Sequence, residues 1–150
     1  MRPEMILPAL LGALVFAALM WWAIGAHSAM WRQVAARYRG ASTAPRLAAK
    51  IPETIIIAGG GMSYRVYAAT AITIHADGLT FRQIAPFGIR CDPLFLPFGD
   101  MALKPTSWAL WPEPFALRLR DAPGLDIILD RSTVQWIREH VDGPPFGLGV

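Results

Sequence analysis

An uncharged apolar run near the N-terminus constrains this chain more than any other feature. Residues Met5 to Gly25 read MILPALLGALVFAALMWWAIG, 21 residues without an Asp, Glu, Lys or Arg. As an α-helix this run would be about 31 Å long, close to the roughly 30 Å hydrocarbon core of a bilayer. The indole rings of Trp21 and Trp22, at its far end, suit the membrane–water interface. We therefore predict that residues 1–27 form a transmembrane anchor.

A cleaved secretory signal is the alternative interpretation of this segment. The tripeptide before Ala29, Ala-His-Ser, has the small-x-small pattern that precedes a signal cleavage site. However, the N-terminal Met-Arg-Pro-Glu is barely positive, and the apolar run exceeds the roughly 7–15 residues of a usual signal core. The pattern favours a retained anchor.

Charge is distributed unevenly along the chain. Residues 1–50 carry six Lys and Arg against one acid, and residues 51–150 carry eight against ten. The pI of about 9.5 therefore reflects the segment after the anchor and argues against a nucleic-acid-binding domain surface. Positive flanks stay on the cytoplasmic side. We expect a single-pass protein of a bacterial inner membrane with its C-terminal domain in the cytoplasm; twelve Arg against two Lys fits a GC-rich bacterial genome.

The segment after the anchor predicts an amphipathic helix that begins at a Ser28 N-cap and ends at Gly40. Its aromatic and aliphatic residues share one face, and its Arg residues lie off that face. Such a helix either lies at a membrane surface near anionic phosphates or packs on its own domain, and the sequence leaves both open. Residues 40–50 predict a linker. The expected membrane-surface contacts are Trp21, Trp22, Trp31, Arg32, Arg37, Tyr38 and Arg39.

A period-two pattern from about Ile51 predicts antiparallel strands. The dipeptide Asp77-Gly78 between alternating runs indicates a hairpin with a type I′ turn. The run Phe-Ala-Leu-Arg-Leu-Arg from Phe115 places Phe and Leu inward and Arg outward, and Pro123-Gly124 suits a type II turn. Short strands are expected near residues 94–98 and 101–104.

The glycines at 59–61, in TIIIAGGGMSYR, raise the question of a phosphate-binding loop. A dinucleotide fingerprint needs glycines at its first, third and sixth positions and a helix directly after them. Here the sixth position is Tyr64 and a period-two run follows. The glycines therefore predict a hinge at the entry to a β-domain, free to adopt positive φ.

The C-terminal part predicts one helix. Ser132 to Gln135 fits a capping box, Val134, Ile137 and Val141 form an apolar stripe, and Gly143 ends the helix. We therefore predict a mainly-β domain over residues 51–143, a small antiparallel sheet or partly open barrel closed by a C-terminal helix, with a tail at 144–150.

Three motifs carry a resemblance to a known group of proteins. They are W-x-x-V-A-x-x-Y after the anchor, DGLTF (Asp77–Phe81) and DPLFLPFGDM (Asp92–Met101). Together they resemble small bacterial membrane-anchored proteins of uncharacterised function, in which a Trp occupies the position of Phe98. The strand order with a terminal helix is similar to the pleckstrin-homology-like (GRAM-like) fold. The resemblance covers about residues 28–142 and implies a fold and a location.

The residues able to carry chemistry form no recognised set. His27, His75 and His140 lie far apart and lack metal-binding spacing. The lone Cys91 has no partner pattern of a nucleophile, and the acids are scattered. We therefore predict no enzymatic activity, no catalytic residue, no cofactor and no metal.

The leading hypothesis is a membrane-anchored protein that presents its β-domain for protein interaction or assembly. Its partners would be membrane lipids, through the anchor and basic flank, and another protein. Trp108 and Trp111 are the candidate interaction surface, with packing at the barrel rim as the alternative. The second hypothesis is an anionic-lipid-sensing module that uses the helix after the anchor, and the third is a hydrolase that uses the scattered acids.

Overall fold

The computed structural model describes residues 3–108 and 111–141. Its main elements are α1 (Ile6–His27), α2 (Ala29–Tyr38), β1 (Arg46–Ala58), β2 (Tyr64–His75), β3 (Gly78–Gln83), β4 (Leu94–Pro97), β5 (Met101–Pro105), β6 (Phe115–Leu119), β7 (Asp126–Leu129) and α3 (Arg131–His140). The seven strands of this described part form one antiparallel sheet in the order β4-β3-β2-β1-β7-β6-β5. The expected apolar helix, antiparallel sheet and C-terminal helix are confirmed at this level.

The sheet curls into a half-barrel around the long strand β1. This strand pairs with β2 along its length but with β7 only through Ile56, Ile57 and Ala58. Register shifts between Lys50 and Glu53, and between Glu53 and Ile55, interrupt its ladder with β2. Such irregularities bend a strand and increase its twist. The two meanders, β1–β4 and β5–β7, therefore close around one core.

That core is filled from the sheet and from both short helices. Fully buried side chains from the strands include Tyr67, Phe81 and Leu94. Val134 and Ile137 of α3 are also fully buried, and Val141 packs against them at the edge of the cluster. The apolar stripe predicted for the C-terminal helix is confirmed. The predicted stop at Gly143 and the tail lie outside the described residues.

The cap of α3 differs from the prediction. Asp130 is the N-cap, and its carboxylate accepts a hydrogen bond from the Thr133 backbone N–H at 3.0 Å. Ser132 lies inside the first turn, where its Oγ donates to the Asp130 carboxylate at 2.6 Å. The capping box predicted from Ser132 is therefore wrong, because the backbone is still extended at Asp130 and turns helical directly after it.

The predicted linker at 40–50 is wrong from Arg46 onward. Strand β1 begins there, and its first pairs with β2 join Arg46 to His75 and Lys50 to Ile72. Residues 46–50 carry little strand signal because this part of β1 is rich in Ala, which has a low strand preference. The predicted domain boundary at residue 51 consequently falls inside a strand.

The triple glycine forms the turn between β1 and β2. Ala58 pairs with Tyr64, so residues 59–63 make the connection, and Gly61 has the positive φ of 74° that the turn needs. The Ile run before it is the end of β1, inside the sheet. The predicted hinge at the entry to the domain is therefore corrected to a hairpin turn within it.

The hairpin predicted at Asp77-Gly78 is confirmed, but its turn is not the predicted one. His75 pairs with Gly78, which leaves Ala76 and Asp77 as the two turn residues, and neither of these turn residues has the positive φ that a type I′ turn needs. Gly78 lies in β3, where an added Cβ would stand 2.3 Å from the Leu96 carbonyl oxygen. The glycine is needed for the close approach of β3 to β4.

The remaining strand predictions agree with the structure. Strands β4 and β5 occupy the expected positions. In β6, Leu117 and Leu119 are buried and Arg118 is exposed, as the alternation predicts. The turn before β7 is closed by a hydrogen bond from Leu125 N–H to the Ala122 carbonyl at 3.2 Å, with Gly124 at φ 85°, as a type II turn requires.

Candidate functional site: the junction of the apolar helix and the β-domain

Helix α1 stands away from the domain. None of its described side chains is buried, and its most apolar 18 residues have a mean hydropathy of 2.1. Trp21 and Trp22, near its C-terminal end, are 60% and 72% exposed. The helix is long and apolar enough to cross a membrane, where the sequence predicts it.

The chain passes from α1 to α2 through a single residue, Ser28. This residue keeps a helical backbone, with φ −78° and ψ −5°, and its N–H donates to the Ile24 carbonyl at 2.9 Å. Its carbonyl in turn accepts from the Arg32 N–H at 2.9 Å. Ser28 occupies the predicted N-cap position of α2, but its side chain makes no capping hydrogen bond and its backbone is already helical. Its Oγ instead donates to the Gly25 carbonyl at 3.3 Å.

A tyrosine from the sheet enters the helix at this joint. The Trp31 backbone N–H donates to the Tyr67 hydroxyl at 3.1 Å, and that hydroxyl donates to the His27 carbonyl at 2.6 Å. In an uninterrupted helix the N–H of residue 31 would bond directly to the carbonyl of residue 27. Insertion of a side chain into this ladder is a known cause of helix bending. Tyr67 is fully buried, and burial raises the pKa of its hydroxyl to about 12.

The apolar face of α2 packs into the domain core. Trp31 is fully buried, and its indole Nε1–H donates to the Asp92 carbonyl at 2.7 Å. Tyr38 is 4% exposed, and its hydroxyl accepts from the Asp121 backbone N–H at 2.9 Å. The expected membrane-surface contacts of Trp31 and Tyr38 are therefore corrected. Of the two alternatives for this helix, packing on its own domain is the one observed.

Burial also changes the ionisation of Tyr38. Desolvation is the main cause that raises the pKa of its hydroxyl, and the hydrogen bond from Asp121 opposes it. The phenol therefore stays neutral and keeps the end of α2 attached to the loop after β6. Each end of α2 is thus joined to the sheet domain by a tyrosine hydroxyl.

Arg32 and Arg37 of α2, and Arg39 directly after it, are exposed but have different surroundings. Arg39 forms an ion pair with Asp92 at 2.9 Å. Arg32 turns back along the chain, and its Nη2 donates to the Gly25 carbonyl at 3.1 Å. Arg37 lines an open cleft beside the glycine turn between β1 and β2. The basic flank predicted from the sequence is therefore divided between α1, the domain and an open surface.

Two further arginines from the domain approach the same end of α1. Arg65 of β2 directs its Nε–H to the Ala26 carbonyl at 3.5 Å. Arg90, in the loop between β3 and β4, places its guanidinium 5.2 Å from the centre of the Trp21 ring. Its Nη1 would lie 2.9 Å from a Cβ added at Gly25. Arg32, Arg65 and Arg90 therefore surround the last turn of α1, and we name them the arginine collar.

The candidate interaction surface lies on the outer side of the sheet. Trp108 and Trp111 are half-buried, packed over a small cluster of Ile56, Ala116 and Ile128. The exposed ring of Tyr64 meets Trp108 edge-on, with centroids 5.1 Å apart. The two tryptophans cover an apolar patch of the sheet and keep part of each ring in solvent, and their role as an interaction surface stays a prediction.

The acids are engaged in structural contacts. Asp100 forms an ion pair with Arg120 at 3.1 Å and Asp126 with Arg118 at 3.6 Å, while Glu113 pairs with Arg131. Cys91 is buried, which raises the pKa of its thiol to about 11. In the described ranges no three His, Cys, Asp or Glu side chains converge in a way that could hold a metal ion.

Sequence reasoning missed five residues of this junction: Arg65 and Tyr67 of β2, and Phe87, Ile89 and Arg90 of the loop between β3 and β4. Tyr67 acts on a helix 36 residues away in the chain, which no local pattern indicates. The exposed Phe87 and Ile89 did leave a signal, because apolar residues stand there inside a Pro- and Gly-containing turn segment.

Comparison with known family models, curated proteins and solved structures gave no match.

Proposed function

We propose that this chain is a single-pass protein of a bacterial inner membrane that holds a small pleckstrin-homology-like domain on the cytoplasmic face and presents it to another protein. The observation that carries the proposal is the packing of α2 into the domain core directly after the exposed apolar helix. An apolar helix with no buried residue is stable in a bilayer and costly in water. A domain joined to it through one residue stays at the membrane surface.

The contacts at the joint support presentation in a fixed orientation. A flexible linker would let the domain tumble, whereas here Trp31 fills the core and the Tyr67 hydroxyl bonds both helices. A buried aromatic side chain of this size contributes about 3–5 kcal/mol. Fixed orientation benefits a protein that has to offer one particular face to a partner lying on the same membrane.

The face best suited to a protein partner carries Trp108 and Trp111. Tyr and Trp are enriched at protein interfaces because they offer large rigid surfaces with a polar edge. Tyr64 and the 97%-exposed Met62 extend the same surface. The acids that a hydrolase would need are held in ion pairs with Arg, which favours a binding role over catalysis.

Photo-crosslinking in native membranes tests this proposal. A benzophenone side chain replaces Trp111 in the full-length protein, and a matched variant carries it at Leu47, an exposed site at the start of β1. The tryptophans cover Ile56, near the other end of that strand. We expect a discrete crosslinked species from position 111 that is absent from position 47. Equal crosslinking at both positions, or none at 111, would contradict a protein-binding role for this face.

Orientation is tested separately by reporters fused to the C-terminus of the full-length chain, after Val150. A reporter active only in the cytoplasm should be active, and one that needs the periplasm should be silent. The reverse result would overturn the cytoplasmic placement, which rests on the positive residues that follow α1.

A further inference from the structure

The loop at residues 84–90 exposes an apolar surface beside the end of α1. Phe87 is 61% exposed and Ile89 is 47% exposed, and both lie in consecutive turns between β3 and β4. The turns are closed by hydrogen bonds from Phe87 N–H to Ile84 and from Cys91 N–H to Gly88, at 2.9 and 3.1 Å. The backbone is therefore ordered while its two largest apolar side chains face outward.

Arg90 ties this loop to the apolar helix. Its backbone has φ 62°, a left-handed conformation that is uncommon for a residue with a Cβ. That conformation accompanies a side chain that lies over the Trp21 ring and against Gly25. Unfavourable backbone of this kind persists where the surroundings fix it and is frequent at binding sites. The surface of the loop is therefore continuous with that of α1.

The arginine collar adds charge at the same level. Arg32, Arg65 and Arg90 come from three elements and meet around Gly25 and Ala26. Each contacts a backbone carbonyl or a ring, and none has a carboxylate within ion-pair distance among the described residues. Guanidinium groups bind phosphate oxygens in two-point geometry. Three of them therefore lie where α1 passes from its apolar part to the domain.

We propose that the 84–90 loop and the arginine collar form a second membrane contact: Phe87 and Ile89 enter the headgroup layer, and the collar binds lipid phosphates. The inference rests on the proposed function, since it takes α1 to be membrane-spanning. The Trp21–Arg90 contact sets the depth, because indole rings reside at the interface and an adjacent guanidinium lies at the level of the phosphates. The occupant is the leaflet in which α1 ends.

Depth-dependent fluorescence quenching tests the contact. Full-length protein is reconstituted in phospholipid bilayers with one environment-sensitive dye, attached to a cysteine at Ile89, Leu47 or Leu14 in turn. Leu47 is the matched control, because it is 49% exposed against 47% for Ile89. It lies at the start of β1, whereas the other end of that strand, paired with Tyr64, is the one near α1. Leu14, in the middle of α1 and 66% exposed, reports the anchor itself. Cys91 is buried, and the unsubstituted chain gives the labelling background.

We expect lipids with a nitroxide near the headgroup to quench the dye at position 89 strongly and to leave the dye at 47 unchanged. Lipids with a deep nitroxide should quench the dye at 14. If the dye at 14 is quenched but the dyes at 89 and 47 both remain unquenched, this inference is overturned, while the proposal that α1 spans the membrane stands. No quenching at 14 contradicts the proposed membrane function. If the dye at 89 reports an apolar environment without nitroxide quenching, and this signal grows with the protein-to-lipid ratio, the loop contacts another copy of the chain. That result would also overturn the inference.

The collar is tested by comparing thermal stability in anionic phosphatidylglycerol and in zwitterionic phosphatidylcholine. We expect the anionic lipid to raise the melting temperature of the wild-type protein and this increase to fall in Arg90→Gln. Arg46→Gln removes an exposed cation from the far end of β1 and should keep the increase. If both variants lose the increase in melting temperature equally, the effect reflects only the net charge of the protein. If Arg90→Gln keeps the full increase, the collar does not bind lipid phosphates.

Discussion

The Tyr67 hydroxyl lies 2.6 Å from the His27 carbonyl oxygen and takes the place of a backbone donor in the helix that joins the apolar segment to the domain. It also accepts the N–H of Trp31, the group that would otherwise fill that place. One side chain of the sheet therefore satisfies both backbone groups that the joint would leave open.

Replacement of Tyr67 by Phe should destabilise the protein by roughly 1–3 kcal/mol, because it leaves the buried N–H of Trp31 and the part-buried carbonyl of His27 without partners. The free energy of unfolding, measured by denaturant titration of the full chain in detergent, checks this. Tyr64→Phe removes a hydroxyl from an exposed ring of the same strand and should change stability by less than about 0.5 kcal/mol. Similar losses in the two variants would contradict the bridging role.

Replacement of Trp31 by Ala should cost about 3–5 kcal/mol, because it empties a fully buried site and removes the donor to Asp92. Trp22→Ala, at an exposed position on α1, should leave domain stability unchanged. Unfolding followed by near-ultraviolet circular dichroism distinguishes the two. If Trp31→Ala were as stable as Trp22→Ala, α2 would not be part of the core.

Replacement of Gly78 by Ala should destabilise the sheet by roughly 1–3 kcal/mol, since the new methyl would meet the Leu96 carbonyl and push β4 away from β3. Gly60→Ala is the control, because nothing lies within 4 Å of a Cβ added there and its φ is ordinary. Thermal melting compares them. A lower melting temperature for Gly60→Ala than for Gly78→Ala would contradict the packing argument.

Stability should decline at alkaline pH. Burial raises the pKa of the Cys91 thiol to about 11 and that of Tyr67 to about 12, so the unfolded chain releases these protons at lower pH than the folded one. Stability from both groups is complete below about pH 9 and is lost between about pH 9 and 12. Melting curves from pH 7 to 11 check the direction. Cys91→Ala should reduce the decline, and a melting temperature that rises with pH would contradict it.

Alkylation of Cys91 offers an independent check of the same burial. At pH 8 a thiol with a pKa of about 11 is roughly one part in a thousand thiolate, against about one in ten for an ordinary cysteine. Iodoacetamide should therefore modify the native protein about a hundredfold more slowly than the denatured protein. Equal rates would show that the loop before β4 opens freely.

The elements with local signals were predictable from the sequence. The apolar helix follows from composition, β6 from strict alternation, and the turn at Gly124 from a Pro-Gly pair, all of which act over a few residues. The start of β1 was not predictable, because Ala48 and Ala49 join the sheet only through pairing with β2. The type I′ turn predicted at Asp77-Gly78 failed for a similar reason. Gly78 is needed for close packing against the Leu96 carbonyl, a group that is distant in the chain.

The candidate site depends even more on distant contacts. The alternation placed Trp31 and Tyr38 on one face, yet the sequence could not decide between lipid and protein for that face. Its partners, Asp92 and Asp121, lie 61 and 83 residues further along the chain. The arginine collar draws on three separate elements for the same reason, so only its member in α2, Arg32, was foreseen.

The burial of α2 decides where a water-soluble version of this domain has to begin. A fragment cut at residue 40, after the basic segment, would open a hole lined by Tyr67 and Leu94 and leave the edge of β4 at Leu94 without its bridge to Arg39. A fragment that starts near His27 keeps α2 in the core and removes only the apolar helix α1. The boundary between the apolar helix and the domain therefore lies at Ser28, between two consecutive helices, and the ten residues of α2 belong to the domain.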